Sequence, residues 1–195
     1  MARGGQGLAR VAVVVRAGAA PLWWLGVFAA GISVLVPGLT GRRIGVLAGA
    51  ALFLVAAAVV AGARRKRYRT LAGAAARAGK HDVLQDRRVT VRNWRRGHRW
   101  WLLLAFLAAL GCGFAVPAAA GMLLAGVGAG LRLKAGFVGR VERSGDVLLW
   151  VRVDWLSRRG GTPAGERVKA FRATGVAAGD AAPGGGRRVA VAVRG

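Results

Sequence analysis

Residues 100–131 read WWLLLAFLAALGCGFAVPAAAGMLLAGVGAGL, 32 positions without a charged side chain between Arg99 and Arg132. A helix rises about 1.5 Å per residue, so one straight helix here would measure about 48 Å, against a bilayer core of roughly 30 Å. The run is too long for one crossing and a little short for two full ones. Pro117 interrupts it near the middle. The stretch therefore predicts a tight helical hairpin that turns around Pro117. A soluble core helix is the alternative, but soluble helices rarely run this far without a polar face.

Moving upstream, residues 21–62 repeat the pattern. Pro21 suits a first helical turn, and Trp23 and Trp24 follow it as interfacial anchors for an aromatic belt. Pro37-Gly38 ends this first span, Arg42 and Arg43 make a short polar connection, and Ile44–Gly62 forms a second span of 19 uncharged residues. Trp100 and Trp101 are the corresponding anchors of the second hairpin, residues 100–136, whose return helix carries Arg132 and Lys134 snorkelling to the headgroups. Each hairpin opens on Trp-Trp, breaks at Val-Pro (Val36-Pro37, Val116-Pro117) and returns through a Gly/Ala-rich helix. A tandem repeat and convergence on one hairpin pattern explain this equally well.

Ahead of the hairpins, residues 1–20 form a basic leader with Arg3, Arg10 and Arg16. The apolar region after it runs to Val36 with no small-x-small site closing it, so a membrane span is expected there and not a cleaved signal. Between the hairpins lies a basic loop, residues 63–99, with Arg64, Arg65, Lys66, Arg67, Arg69, Arg87, Arg88, Arg92, Arg95, Arg96 and Arg99. Its middle, 70–80, is Ala-rich and predicted helical; Val89–Trp94 fits either strand or helix. Residues 137–195 form a β-rich tail. Residues 146–155 alternate, placing Val147, Leu149, Val151, Val153 and Trp155 on one face. Further strands are expected at 137–143, joined through Ser144-Gly145, and at 167–173 and 188–194, with loops at 160–165 and 183–186.

The fold class expected is thus mainly α and integral to a membrane: four transmembrane helices as two hairpins, then a small β-rich cytoplasmic domain. Orientation follows from charge. The 195-residue chain carries 31 Lys and Arg against 7 acidic residues. With four spans, 29 of the 31 fall on the side of the leader, the basic loop and the tail, and only Arg42 and Arg43 on the other. Drift in codon usage raises the number of arginines but does not sort them. Both termini are therefore expected in the cytoplasm of a cell whose plasma (inner) membrane holds the chain.

No ionisable residue lies inside a proposed span, which disfavours a transporter or ion channel unless self-association builds a pore. The single cysteine, Cys112, makes no intrachain disulfide. His81 and His98 sit among arginines without a second metal ligand, and no catalytic or phosphate-cradling motif is present. Neither enzyme activity nor a cofactor or metal is expected. Gly45-x-x-x-Gly49 and Gly126-x-x-x-Gly130 allow close helix packing, either within each hairpin or between copies of the chain, with packing inside the chain expected first. The basic loop has three candidate partners: anionic lipid headgroups, an acidic protein surface, and nucleic acid, with Tyr68 and Trp94 as stacking groups. The leading reading is a membrane scaffold or accessory subunit; a membrane-tethered DNA-transfer or DNA-anchoring accessory is the runner-up, and an oligomeric pore or transporter component the third.

The expected order of elements, four spans and then a small β domain, is similar to that of membrane-anchored NfeD-type proteins, which carry a small oligonucleotide-fold-like barrel. The similarity covers element order, with no shared motif, so no residue role is carried across.

Overall fold

The computed structural model describes residues 7–36, 38–79, 82–156 and 168–187. In chain order these form β1 (Gly7–Arg10), α1 (Val11–Ala17), α2 (Ala19–Leu35), α3 (Arg42–Gly62), α4 (Arg65–Gly73), β2 (Ala76–Arg77), β3 (Val83–Leu84), α5 (Arg87–Gly113), α6 (Ala119–Ser144), β4 (Val147–Arg152), a 3₁₀ turn at Val153–Trp155, and β5 (Arg172–Gly175). The chain is mainly helical, with a small sheet. It folds as two units interleaved in sequence: Met1–Val14, Lys66–Val91 and Ala135–Gly195 make a sheet unit, and Val15–Arg65 and Arg92–Lys134 a helical unit.

In the sheet unit the strand order is β2-β5-β4-β1-β3. β4 pairs antiparallel with β1 (Leu8↔Arg152, Arg10↔Trp150) and with β5 (Val147↔Gly175, Trp150↔Arg172). The short edge strands β3 and β2 add in parallel to β1 and β5. Residues 147–152 form the expected strand, yet Leu148, Leu149, Trp150 and Val151 are all buried. Alternation thus marks two covered faces and not one. Leu148 and Trp150 pack with Leu8, Ala78, Leu84, Val176 and Ala178. The Trp150 indole N–H donates to Thr174 Oγ1 at 2.8 Å, so a large apolar ring is buried with its polar atom satisfied. Residues 153–155 leave the strand for the 3₁₀ turn.

Several expectations are corrected here. The basic leader is not without structure of its own: Gly7–Arg10 form β1, inside the sheet order, and Val11–Ala17 form α1, directly ahead of α2. The Ala-rich stretch at 70–80 is helical only as far as Gly73, where α4 ends, and supplies β2 at Ala76–Arg77; β3 follows, and Val89–Trp94 is helical within α5. Residues 137–143 are helix and not strand. They continue α6, whose buried positions Ala135, Val138 and Glu142 recur with helical spacing, and a Cβ at Gly139 would lie 2.6 Å from Gly184 Cα. Ser144-Gly145 is a helix end: the Gly145 amide bonds the Val141 carbonyl at 3.2 Å and Asp146 takes φ 48°. Of the expected strand at 167–173 only its end coincides with β5, while 188–194, 160–165 and His81 lie outside the described residues. Because β1 precedes the helices and β2 and β3 lie between them, the order is not spans followed by a β domain, and the likeness to NfeD-type proteins does not carry over.

The helical unit turns where prolines place the turns. Val36, ahead of Pro37, is extended at φ −91°, ψ 132°, as a residue before proline is pushed to be. α5 ends at Gly113 and α6 starts at Ala119, after Ala118 at φ 64°. The two turns are joined by hydrogen bonds: the Leu39 amide to the Phe114 carbonyl at 3.0 Å, and both the Thr40 amide and Oγ1 to the Ala115 carbonyl at 3.2 and 2.9 Å.

Candidate functional site

Within the helical unit the buried positions are small. On α2 they are Ala19, Gly26, Ala29, Ala30 and Ser33, and on α3 Gly45, Gly49, Ala57 and Ala61. The large apolar side chains point outward: Phe28 is 58% exposed, Leu35 79%, Leu47 72%, Leu54 65% and Leu104 56%. A water-soluble bundle has the reverse arrangement, with large side chains inside, whereas bundles in lipid pack through small residues.

α6 is the helix that the small residues serve. On one stripe, a Cβ at Gly121 would meet Ala30 Cα at 2.7 Å and one at Gly128 would meet the Trp23 nitrogen at 2.6 Å, so α2 lies against it. On the next stripe, a Cβ at Gly126 would meet Phe53 Cα at 2.9 Å, and one at Gly130 the Ala57 oxygen at 2.8 Å. Gly45 and Gly49 face Pro117 and Met122 from α3. The two Gly-x-x-x-Gly patterns therefore bring α3 and α6 together, helices that the sequence assigns to different hairpins. Ser33, buried, donates to the Ala29 carbonyl at 2.7 Å and exposes no unsatisfied hydroxyl.

By length and composition, three helical stretches are long and apolar enough to cross a bilayer: Val11–Leu35, Arg42–Gly73 and Ala119–Ser144. The fourth expected span is the C-terminal half of α5. Its uncharged part, residues 100–113, covers about 21 Å, and Arg92, Arg95, Arg96 and Arg99 stand on the same continuous helix. Among the anchors, Trp24, Trp100 and Trp101 are 55%, 65% and 60% exposed. Trp23 differs, packing edge-on against Phe53 at 6.0 Å, with the Arg132 guanidinium 5.7 Å from its ring.

The basic residues fall into two sets. Lys66, Arg67, Arg69, Arg87 and Arg88 belong to the sheet unit; Arg64, Arg65, Arg92, Arg95, Arg96 and Arg99 belong to the helical unit. Several are engaged within their own unit. Arg65 Nε donates to the Ala61 carbonyl at 2.7 Å, Arg67 to the Val168 carbonyl at 3.0 Å, and Arg69 lies 5.2 Å from the Phe137 ring. Arg87 has its amide on both Asp180 carboxylate oxygens at 3.1 Å and its Nε on the Gly185 carbonyl. Asp180 thereby caps α5 with a charge suited to its dipole. Arg88, Arg92, Arg95, Arg96 and Arg99 are exposed. The two proposed stacking rings are occupied: Tyr68 packs on Phe171 at 6.1 Å, and Trp94 stacks on His98 at 4.4 Å with its ring edge against Gly18. His98 Nδ1 lies 2.9 Å from the Trp94 carbonyl. Among the described residues no group of His, Cys, Asp and Glu is placed to hold a metal.

One constellation escaped sequence reading. Arg10, on β1, and Glu142, on α6, are buried together with N and O 3.3 Å apart. Arg10 also donates to the carbonyls of Ala181 and Ala182, and Glu142 accepts from the Leu149 and Gly184 amides at 3.2 and 2.9 Å. The Arg10 bonds tie the N-terminal strand to the C-terminal segments of its unit, and the Glu142 bonds tie α6 to β4 and to residue 184, so the pair's evident work is structural. The only sequence signal is an Arg between Ala9 and Val11 and one of two Glu residues in a chain poor in acids.

No family model, no curated protein and no solved structure matches this chain.

Proposed function

We propose that the chain is a multi-pass inner-membrane scaffold or accessory protein. Its four helices cross the bilayer, and its basic faces and sheet unit offer a cytoplasmic surface to anionic lipid and to a partner protein. The observation that carries this reading is the inverted burial of the helical unit, with glycine and alanine inside and Leu, Phe, Ile and Trp outside. An apolar exterior on several helices at once is hard to keep monomeric in water.

The fourth crossing, α5, completes its length with residues 114–116 at one end and with Arg99, reaching to the headgroups beyond Trp100, at the other. The hydrogen bonds between the two turns support placing both on one side of the membrane, opposite the 29 remaining cationic residues. The sequence carries no recognisable catalytic motif, and we read its role as non-enzymatic. Nucleic-acid binding keeps the charge argument but loses its stacking groups, whose rings are packed within the fold.

Two experiments test the reading. Reporter fusions at Ala78 and Gly195 should behave as cytoplasmic and those at Gly41 and Ala118 as external; an external signal at Gly195 refutes the topology. Crosslinking in native membranes should recover a protein bound to the cytoplasmic face. Recovery of DNA in its place moves the assignment to the runner-up.

A further inference from the structure

A groove of about 530 Å³ opens on the helical unit, lined by Ala20, Pro21, Trp24 and Leu25 of α2 and by Arg95, Arg99, Leu102, Leu103 and Phe106 of α5. The α5 residues fall at intervals of three and four, so they share one face of the helix. Along that face the chemistry changes once. Two guanidinium groups one turn apart come first, and an apolar wall follows. From residue 95 to residue 106 the face runs about 16 Å, of which the part beyond Arg99 is about 10 Å, a good share of one leaflet's hydrocarbon depth of roughly 15 Å. The α2 side is apolar throughout, with Trp24 at the Arg end of its helix.

Among the described residues neither Arg95 nor Arg99 has a carboxylate within ion-pair distance, and Arg99 rests 5.5 Å from the Trp100 ring. Guanidinium groups form strong charge-assisted bonds to phosphate oxygens, and Arg side chains on adjacent turns approach closely enough to share one phosphate. A cationic head above an apolar trough is the complement of a phospholipid with an anionic headgroup.

We propose that this groove is a site for one anionic glycerophospholipid, with its phosphate between Arg95 and Arg99 and an acyl chain along Leu102, Leu103, Phe106 and Trp24. The proposal rests on the membrane reading above and adds a defined ligand to it. It also separates Arg95 and Arg99 from Arg92 and Arg96, which are exposed on the same helix but do not line the groove.

The test uses the full chain in a neutral detergent, titrated with phosphatidylglycerol or phosphatidylcholine, with adducts counted by native mass spectrometry. The wild type should hold one phosphatidylglycerol in preference to phosphatidylcholine. R95Q/R99Q should weaken phosphatidylglycerol binding by at least about tenfold, as expected for losing charge-assisted bonds. Leu103→Trp keeps both arginines but fills the trough, and should weaken it similarly. R92Q/R96Q removes the same charge outside the groove and should leave it nearly unchanged. All of these positions are exposed, so the variants should fold. Equal loss in R92Q/R96Q, or no loss in Leu103→Trp, reduces the effect to diffuse surface charge and overturns the site. A chain that resists carbonate extraction from membranes yet shows no phosphatidylglycerol preference loses the site and keeps the membrane reading; a chain that carbonate releases loses both.

Discussion

Gly126→Ala probes the packing of α6 directly. The added Cβ would lie 2.9 Å from Phe53 Cα and 3.0 Å from its carbonyl carbon, with the carbonyl oxygen nearer still. Carbon atoms pack best at about 3.5–4.0 Å, so α3 and α6 must separate by at least about 0.6 Å. All of the obstructing atoms belong to backbone, and no rotamer change relieves them. Overpacking of this kind costs about 1–3 kcal/mol. Replacing glycine by alanine in a helix also returns up to about 1 kcal/mol of propensity, which partly hides the cost. Gly31→Ala on α2 supplies the reference, because nothing lies within 4 Å of its added Cβ. The difference between the two variants isolates overpacking and should be about 1–3 kcal/mol, a few-fold to about a hundredfold in the unfolding equilibrium. Reversible unfolding of the full chain in mixed micelles measures it. If Gly126→Ala proves as stable as Gly31→Ala, the two helices do not meet at this glycine.

Other perturbations separate the remaining contacts. Glu142→Gln leaves Arg10 charged and buried, and should destabilise the sheet unit by about 3–5 kcal/mol. Replacing both residues with methionine should cost clearly less than the sum of the single changes. Denaturation followed by exchange of the Leu149 amide reads both, and strict additivity would dissolve the pair. Trp23→Ala should lower helical-unit stability by about 1–2 kcal/mol through loss of the Phe53 and Arg132 contacts, whereas Trp24→Ala should lower it little; equal effects would contradict the difference in their packing. Thr40→Val removes the Oγ1 bond to Ala115 and should cost about 0.5–1.5 kcal/mol in the same assay, with no loss meaning that the two turns are not joined through it.

The helices could be read from sequence because their signal is local. Uncharged length, Val-Pro breaks and paired tryptophans each act within a few residues, and α2, α3 and the turn before α6 fall where these marks lie. The sheet could not be read in the same way. β1 is four residues long, β2 and β3 are two each, and all three sit in stretches whose composition says only that they are basic. β1 finds its partner β4, and β2 its partner β5, only across long separations in sequence, and β3 then adds to β1. The misreading of 137–143 has a definite cause: Phe137, Gly139 and Val141 alternate, but Ala135, Val138 and Glu142 fit a helical period equally well, and packing against residues 183–184 decides between them. α5 shows the limit of counting charges. A basic segment and an apolar one look like loop and span in sequence, while the backbone passes from one to the other as a single helix. Arg95 and Arg99 stood among eleven basic candidates, and only the groove distinguishes them from their neighbours.

The claim beneath all of this is that the helical unit crosses a bilayer with its two joined turns outside the cell and the basic segments inside. Single-cysteine accessibility measures it, with Cys112→Ser as the background. Gly41→Cys and Gly73→Cys place a thiol at exposed sites where nothing lies within 4 Å. In intact cells a membrane-impermeant maleimide should label Gly41→Cys at once and Gly73→Cys only after permeabilisation. Labelling of both, or of Gly73→Cys alone, before permeabilisation would contradict the account.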